Sequence, residues 1–208
     1  MDGLPILYSF RRCPYAMRAR LALLSSGVRC VLREVKLSAK PEQMLAASSK
    51  GTVPELLLST GSVIEESLSI MQWALEQNDP QGWLDCPERT LIEQNDGMFK
   101  YHLDRYKYAD RHGVDAQAHR ATGLDMLKQL DRRLAQTAHL CGDAMGLTDV
   151  AIFPFVRQFA QVDRSWFDAQ ALPNLQTWLT ALCESPLFTA AMVRHKPWDD
   201  EAEPVQFP

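Results

Sequence analysis

The chain has 208 residues, of which 46% are hydrophobic and 23% charged. This balance excludes disordered and fibrous classes and leaves enough apolar material for one large core or two small ones. The net charge is −4, and with no lysine-rich run it argues against nucleic acid as the main partner, because that binding rests on phosphate neutralisation. No apolar run approaches the roughly 18 residues of a membrane span, and no basic segment followed by a long apolar one opens the chain, so a cytoplasmic, unprocessed protein is expected.

Leu4 to Phe10 is a short apolar run suited to a buried strand, interrupted by Arg11-Arg12-Cys13-Pro14. Proline is well tolerated at a first helical position, where its missing N–H would have no partner. A helix is therefore expected over 15–26, with Met17, Leu21 and Leu24 on its apolar side and Gly27 as its stop. Cys30 to Leu37 alternates apolar and charged residues as a half-buried strand does, and Lys40-Pro41-Glu42 opens a short helix. Val53-Pro54, Leu56 to Leu58, the turn Thr60-Gly61 and then Val63 and Ile64 read as a hairpin. Ser67 is placed to cap a further helix containing Ile70, Met71, Trp73 and Ala74.

The resulting order, βαβαββα within residues 1–77, is that of a thioredoxin-like α/β layer. Residues 78–87 carry two prolines and a glycine with little periodicity and are taken as the linker. Helical patterns then dominate over about 88–111, 116–139, 148–163 and 173–184, so 88–208 is expected to be an all-helical domain. Its last stretch, from about 195, has no periodicity and reads as an extended tail, with Trp198 as the residue to pin it. The first 78 residues hold nine Lys/Arg against seven Asp/Glu and the remainder thirteen against nineteen, so the two parts differ in sign of charge.

The five cysteines, Cys13, Cys30, Cys86, Cys141 and Cys183, are odd in number and scattered, which fits neither a disulfide framework nor zinc-ligand pairs and leaves reduced thiols as the expectation. Cys13 stands apart. A thiol at a helix N-terminus faces unpaired amides and the positive end of the helix dipole, both of which favour thiolate, and Arg11, Arg12 and Arg18 are close in sequence. Redox dithiols carry a second cysteine where this chain has Ala16. A mixed disulfide on Cys13 must then be released by an external thiol, which is a monothiol cycle.

The segment Cys13-Pro14-Tyr15-Ala16-Met17-Arg18 resembles the motif Cys-Pro-Phe/Tyr-Ala-x-Arg of cysteine-type glutathione transferases, above all the omega class and its bacterial relatives. Lys40-Pro41, Val53-Pro54 and Glu66-Ser67 follow in the order and spacing of that family, each pair 13 residues after the one before. The resemblance implies a glutathione transferase fold, Cys13 as catalytic nucleophile and glutathione as co-substrate, with no metal. It also implies that Pro54 follows a cis bond while Val53 lends its backbone to the cysteinyl part of glutathione, that Lys40 meets the glycine carboxylate, and that Glu66 and Ser67 receive the γ-glutamyl end. An ordinary trans turn at Val53-Pro54, and a merely capping Ser67, remain the simpler alternatives.

Tyr15 and Arg18 are secondary candidates, and Tyr8 and Ser9 stand where other transferases carry an activating hydroxyl. Gly146-Leu147-Thr148-Asp149 resembles the family's capping-box segment with glycine in place of serine or threonine, and Asp149 can still accept from the amide of residue 146. Phe99, Tyr101, Tyr106 and Tyr108 fall on the helix that lines the family's second-substrate pocket, although aromatic residues at helical spacing are also ordinary core. The five histidines, at 102, 112, 119, 139 and 195, show no metal-ligand spacing. The implied activity is thiol–disulfide exchange, dehydroascorbate-type reduction or deglutathionylation, in a homodimer. A conjugating transferase acting on electrophiles, and a non-catalytic binding or regulatory module, are the alternatives.

Overall fold

A computed structural model describes residues 3–85, 87–201 and 203–208. Strand β1 (Ile6–Ser9) leads into helix α1 (Pro14–Ser26), whose first turn begins on Pro14 and which ends on Gly27 with φ 70°, a left-handed stop that glycine adopts without strain. Strand β2 (Cys30–Glu34), helix α2 (Glu42–Ala47), strands β3 (Glu55–Leu57) and β4 (Val63–Ile64) and helix α3 (Ser67–Gln77) follow. β1 pairs with β2 in parallel and with β3 antiparallel, and β3 pairs antiparallel with β4.

The strand register sorts the side chains. Cys30, Leu32, Leu7 and Leu56 are buried on one face of the sheet. Tyr8 shares the other with Val35 and Met44 of α2, flanked by Ile6 and Val53.

The helical run after residue 88 is more divided than its periodicity suggests. Helix α4 (Arg89–Gln94) passes through a π-helical turn at Asn95–Phe99 into α5 (Lys100–Lys107), and Tyr108, outside helical backbone angles, separates α5 from the short α6 (Ala109–His112). Helix α7 (Ala116–Leu134) is capped by Asp115, which accepts from the Gln117 amide at 2.8 Å. It ends five residues before the expected limit, in a loop bridged between His139 and Gly142. Helix α8 (Leu147–Ala160), the short α9 (Arg164–Asp168) capped by Asp163, and α10 (Pro173–Glu184) complete this unit.

Asp131 of α7 caps α10 from outside, accepting from the amides of Asn174 and Leu175, both at 2.9 Å. Gly123 has a steric reason to be glycine: a Cβ there would come within 2.6 Å of the Phe159 ring.

The fully buried Asp149 organises the start of α8. One oxygen accepts from the Gly146 amide at 3.1 Å, and the other from the Leu140 amide at 2.9 Å and the Trp178 indole at 2.8 Å. The glycine N-cap thus keeps the acid's half of a capping box.

The chain then folds back. Helix α11 (Pro186–Ala191) and strand β5 (Val205–Phe207) pack with the first unit, where β5 pairs antiparallel with β2, placing Cys30 opposite Phe207. The complete sheet order is β4-β3-β1-β2-β5. The compact units are residues up to Gly82 with Pro186–Pro208, and Trp83–Ser185.

The expected helical domain over 88–208 therefore closes at Ser185, and the stretch from 195 is an added sheet edge as well as a tail. Sequence periodicity misses this because β5 is only three residues long and gains its pairing from β2. Trp198 does pin the segment: its amide donates to the Glu34 carbonyl at 2.8 Å, and the Arg33 guanidinium lies 3.9 Å over its ring.

Replacing Asp149 with alanine leaves three amide or indole donors without their buried acceptor, and should cost about 3 kcal/mol or more. Denaturant unfolding read on tryptophan fluorescence should show this loss, and Asp149→Asn, which keeps one acceptor oxygen, should lose less.

Candidate active site

Every residue singled out for chemistry lies in the first unit. Cys13 occupies the N-cap of α1 in extended conformation, fixed by its own amide donating to the Phe10 carbonyl at 2.9 Å and by its carbonyl accepting from the Met17 amide at 3.0 Å. Its thiol is half-buried and donates to the carbonyl of Val53 at 3.7 Å. The Val53–Pro54 peptide is cis, so the simpler trans turn is not what forms. A contact between residues 40 positions apart thus joins the start of α1 to the segment entering β3.

Glu66 is the N-cap of α3 and Ser67 its first residue, so Ser67 does not cap the helix as the sequence suggested. Its hydroxyl is buried and receives Arg18 Nη1 at 3.4 Å. Arg18 is itself fully buried and passes 5.5 Å from the centre of the Tyr15 ring. Arg18 thus reaches toward the head of α3. Lys40 is exposed ahead of α2, and none of the described residues makes a hydrogen bond or ion pair with it.

Lys50 does have partners, and sequence reasoning passed over it. Its Nζ bonds Glu66 Oε1 at 2.8 Å and lies 3.2 Å from Glu65 Oε2, and these bonds, to Glu66 first and then Glu65, hold its pKa above the usual lysine value. Ser48 donates to the other oxygen of Glu65, and that bond, followed by the one from Lys50, draws the Glu65 carboxyl below the ordinary range. The signal available in the sequence was weak: one lysine three residues before Val53, with two adjacent acids beyond the hairpin.

The alternative activating hydroxyls are engaged elsewhere. Tyr8 is fully buried, and its hydroxyl accepts from Arg33 Nη1 at 2.6 Å. Ser9 accepts from Arg20 Nε at 2.8 Å. Arg11 contributes through its backbone, its amide donating to Glu34 Oε1 at 2.7 Å, while the Arg12 guanidinium packs 5.3 Å from the centre of the Phe10 ring.

Of the other cysteines, Cys30 is fully buried and its thiol is pushed up to about 12 by that burial. Burial likewise raises Cys183. Cys141 is half-buried, and Cys86 falls outside the described residues.

In the helical unit the aromatic cluster divides. Phe99 and Tyr106 are buried against Phe159, with ring centres at 5.5 and 5.0 Å, whereas Tyr101 is exposed. His102 and His119, distant in sequence, meet with their Nδ1 atoms 2.9 Å apart, a hydrogen bond in which one ring donates and the other accepts. Among the described residues no group of three His, Cys, Asp or Glu side chains could hold a metal ion.

Residues 7–83 match the family described as glutathione S-transferase, N-terminal domain, and residues 102–181 match glutathione S-transferase, C-terminal domain. These matches, over most of the chain, show that it belongs to the glutathione S-transferase family, a family of transferases. Among similar proteins, glutathione S-transferase omega-1 of Rattus norvegicus is 22% identical over 96% of this chain and 85% of its own length. A glutathione S-transferase from Rhodospirillum rubrum F11 shares the fold at a TM-score of 0.75 and 20% identity, covering 97% of this chain and 96% of that one. A glutathione transferase family member from Pseudomonas fluorescens pf-5, solved with two glutathione bound, superposes at a TM-score of 0.74 and 17% identity over 92% of this chain and 93% of that one.

Burial and a raised pKa together keep a thiol inert. Peptide mapping after brief treatment of the native protein with iodoacetamide at pH 8 should therefore find Cys30 unmodified, with labelling there only after denaturation.

Proposed function

We propose that the chain is a glutathione-dependent thiol transferase in which Cys13 is the nucleophile. The observation that carries this reading is the placement of Cys13 at the N-cap of α1, 3.7 Å from the carbonyl of the residue preceding cis-Pro54. A helix N-terminus favours thiolate over thiol, and the adjacent Val53 backbone is a template for an extended peptide. The match to family members, one of them solved with glutathione, supports glutathione as the peptide.

In the proposed complex, Val53 bonds the cysteinyl backbone of glutathione and Glu66, Ser67 and the start of α3 receive the γ-glutamyl end. Lys40 meets the glycine carboxylate. The Cys13 thiolate attacks the glutathionyl sulfur of a mixed disulfide RS–SG, forming Cys13–S–SG and releasing the R thiolate. A second glutathione, as thiolate, then attacks the glutathionyl sulfur of that adduct, forming glutathione disulfide and regenerating the Cys13 thiolate. The sum is RSSG + GSH → RSH + GSSG, and Ala16 leaves no internal thiol to short-circuit it. A homodimer working in the cytoplasm is the assembly and place this reading carries with it.

The Cys13 to Val53 contact also supports a second reading, because a thiol that stays protonated is a donor. Cys13 would then donate to a bound glutathione thiolate that itself attacks an electrophile, as in a conjugating transferase.

Cys13→Ser separates the two, since serine keeps a donor but forms no disulfide. Reduction of a glutathione mixed disulfide, followed through glutathione disulfide formation, should fall by about 10³-fold or more in Cys13→Ser. Retained exchange activity, or conjugation of a halonitrobenzene that survives in serine and fails in alanine, would favour the second reading.

A further inference from the structure

A row of polar side chains crosses the sheet on the α2 side. Arg33 on β2 is opposite Tyr8 on β1, and Tyr8 is opposite Glu55 on β3. Continuing the β3–β4 register past Leu56 and Ile64 sets Glu55 opposite Glu65. Arg33 is committed to Tyr8 and Trp198, and Glu65 to Ser48 and Lys50. Glu55, between them, is 1% exposed, and neither of its carboxyl oxygens has a hydrogen-bond partner among the described residues.

A carboxylate in such a place is costly, whereas a protonated carboxyl is far cheaper. Like charges directly opposite across a strand pair add to that cost. Burial, and then the Glu65 charge, push the Glu55 carboxyl up to about 7.

The charged or titratable groups facing it are few. β1 presents Tyr8, with Arg33 of β2 behind it, and the residue that follows β4 is Glu65. α2 buries Met44 alone, and the segment after it contributes Lys50, already shared between Glu65 and Glu66. Glu55 directly follows the cis Val53–Pro54 pair whose carbonyl receives the Cys13 thiol.

We propose that Glu55 is a positioning residue for the Val53–Pro54 segment, holding it against Cys13 while its carboxyl is protonated and releasing it on ionisation. The physical cause is solvation. An ionised Glu55 gains donors by opening its strand end to water or by competing with Glu65 for Lys50, and either change moves the backbone between Lys50 and Glu66. Extended to catalysis, this rests on the glutathione reading of the same site. Because neutral Glu55 then accompanies the binding-competent backbone, glutathione affinity falls as pH rises through neutrality. By linkage, bound glutathione holds the proton on Glu55.

The test is a backbone amide NMR titration of the intact protein from pH 5.5 to 8.5. Lys50, Val53, Glu65 and Glu66 should share one inflection near pH 7 that disappears in Glu55→Gln and survives in His195→Gln, which removes the one histidine of this unit. No shared inflection, or one that persists in Glu55→Gln, overturns the proposal. If the glutamine variant fails to fold, the carboxyl carbon of Glu55 in the unaltered protein decides: titration near 7 supports the proposal and titration near 4.5 overturns it.

Calorimetry with glutathione separates the two readings. Affinity should drop roughly tenfold between pH 6 and 8.5 in the unaltered protein and stay level in Glu55→Gln. Absence of glutathione binding at every pH would sink the glutathione reading, while the amide titration would still decide Glu55.

Discussion

The first unit depends on one buried cation. Arg20 projects from α1 with no exposure to solvent, and its guanidinium donates to Ser9 of β1, to Glu34 of β2 and to the carbonyl of Ala191 in α11. Burial draws its pKa down while Glu34 pushes back, and the balance holds because three acceptors surround the charge. A pair of this kind is weak evidence for net stability, since apolar residues could fill the same volume. What it supplies here is geometry. Glu34 also receives the Arg11 amide through its second oxygen, and its carbonyl receives the Trp198 amide. The loop that delivers Cys13 and the returning tail are thus both tied to β2 by the residue that neutralises Arg20.

The sheet separates two kinds of work. On the α1 side, Arg20, Glu34 and Ser9 fix the backbone and Cys13 is set at a helix start. On the α2 side, Tyr8, Glu55 and Glu65 form a polar row over apolar neighbours, continued by Lys50 and Glu66 toward the head of α3. The cis Val53–Pro54 pair is where the two meet, because its carbonyl faces the thiol and its strand begins with Glu55. The Cys13 thiol at the head of α1 is in this way joined to the polar row on the far side of the sheet through three consecutive residues, Val53, Pro54 and Glu55.

The helical unit shows the same economy with the opposite sign. Asp149, fully buried, is paid for by three donors from α8, the preceding loop and α10, and Asp131 supplies the missing cap of α10. These two helix starts, which lack a serine or threonine cap, are satisfied by acids instead, α8 by Asp149 of its own first turn and α10 by Asp131 of α7. That explains how Gly146 can hold the N-cap of α8, a position where its own side chain offers nothing.

Sequence by itself determined the strand and helix order of the first 77 residues, the start of α1 at Pro14 and the stop at Gly27, and it marked Cys13, Val53–Pro54 and Glu66–Ser67 as the candidates for chemistry. Each of these is a local device: proline, glycine, a short apolar run, or a motif at fixed spacing, whose meaning lies in its immediate neighbours. Tertiary structure alone decided the rest. It turned β5 back onto β2, brought Arg18 to Ser67, engaged the Tyr8 and Ser9 hydroxyls with Arg33 and Arg20, and brought His102 to His119. All of these are pairings between residues far apart in the chain, set by which face of a strand or helix a side chain shares with distant partners. Even the nearest of them, Ser9 with Arg20, joins a strand to a helix, and no periodic pattern within one element contains both members.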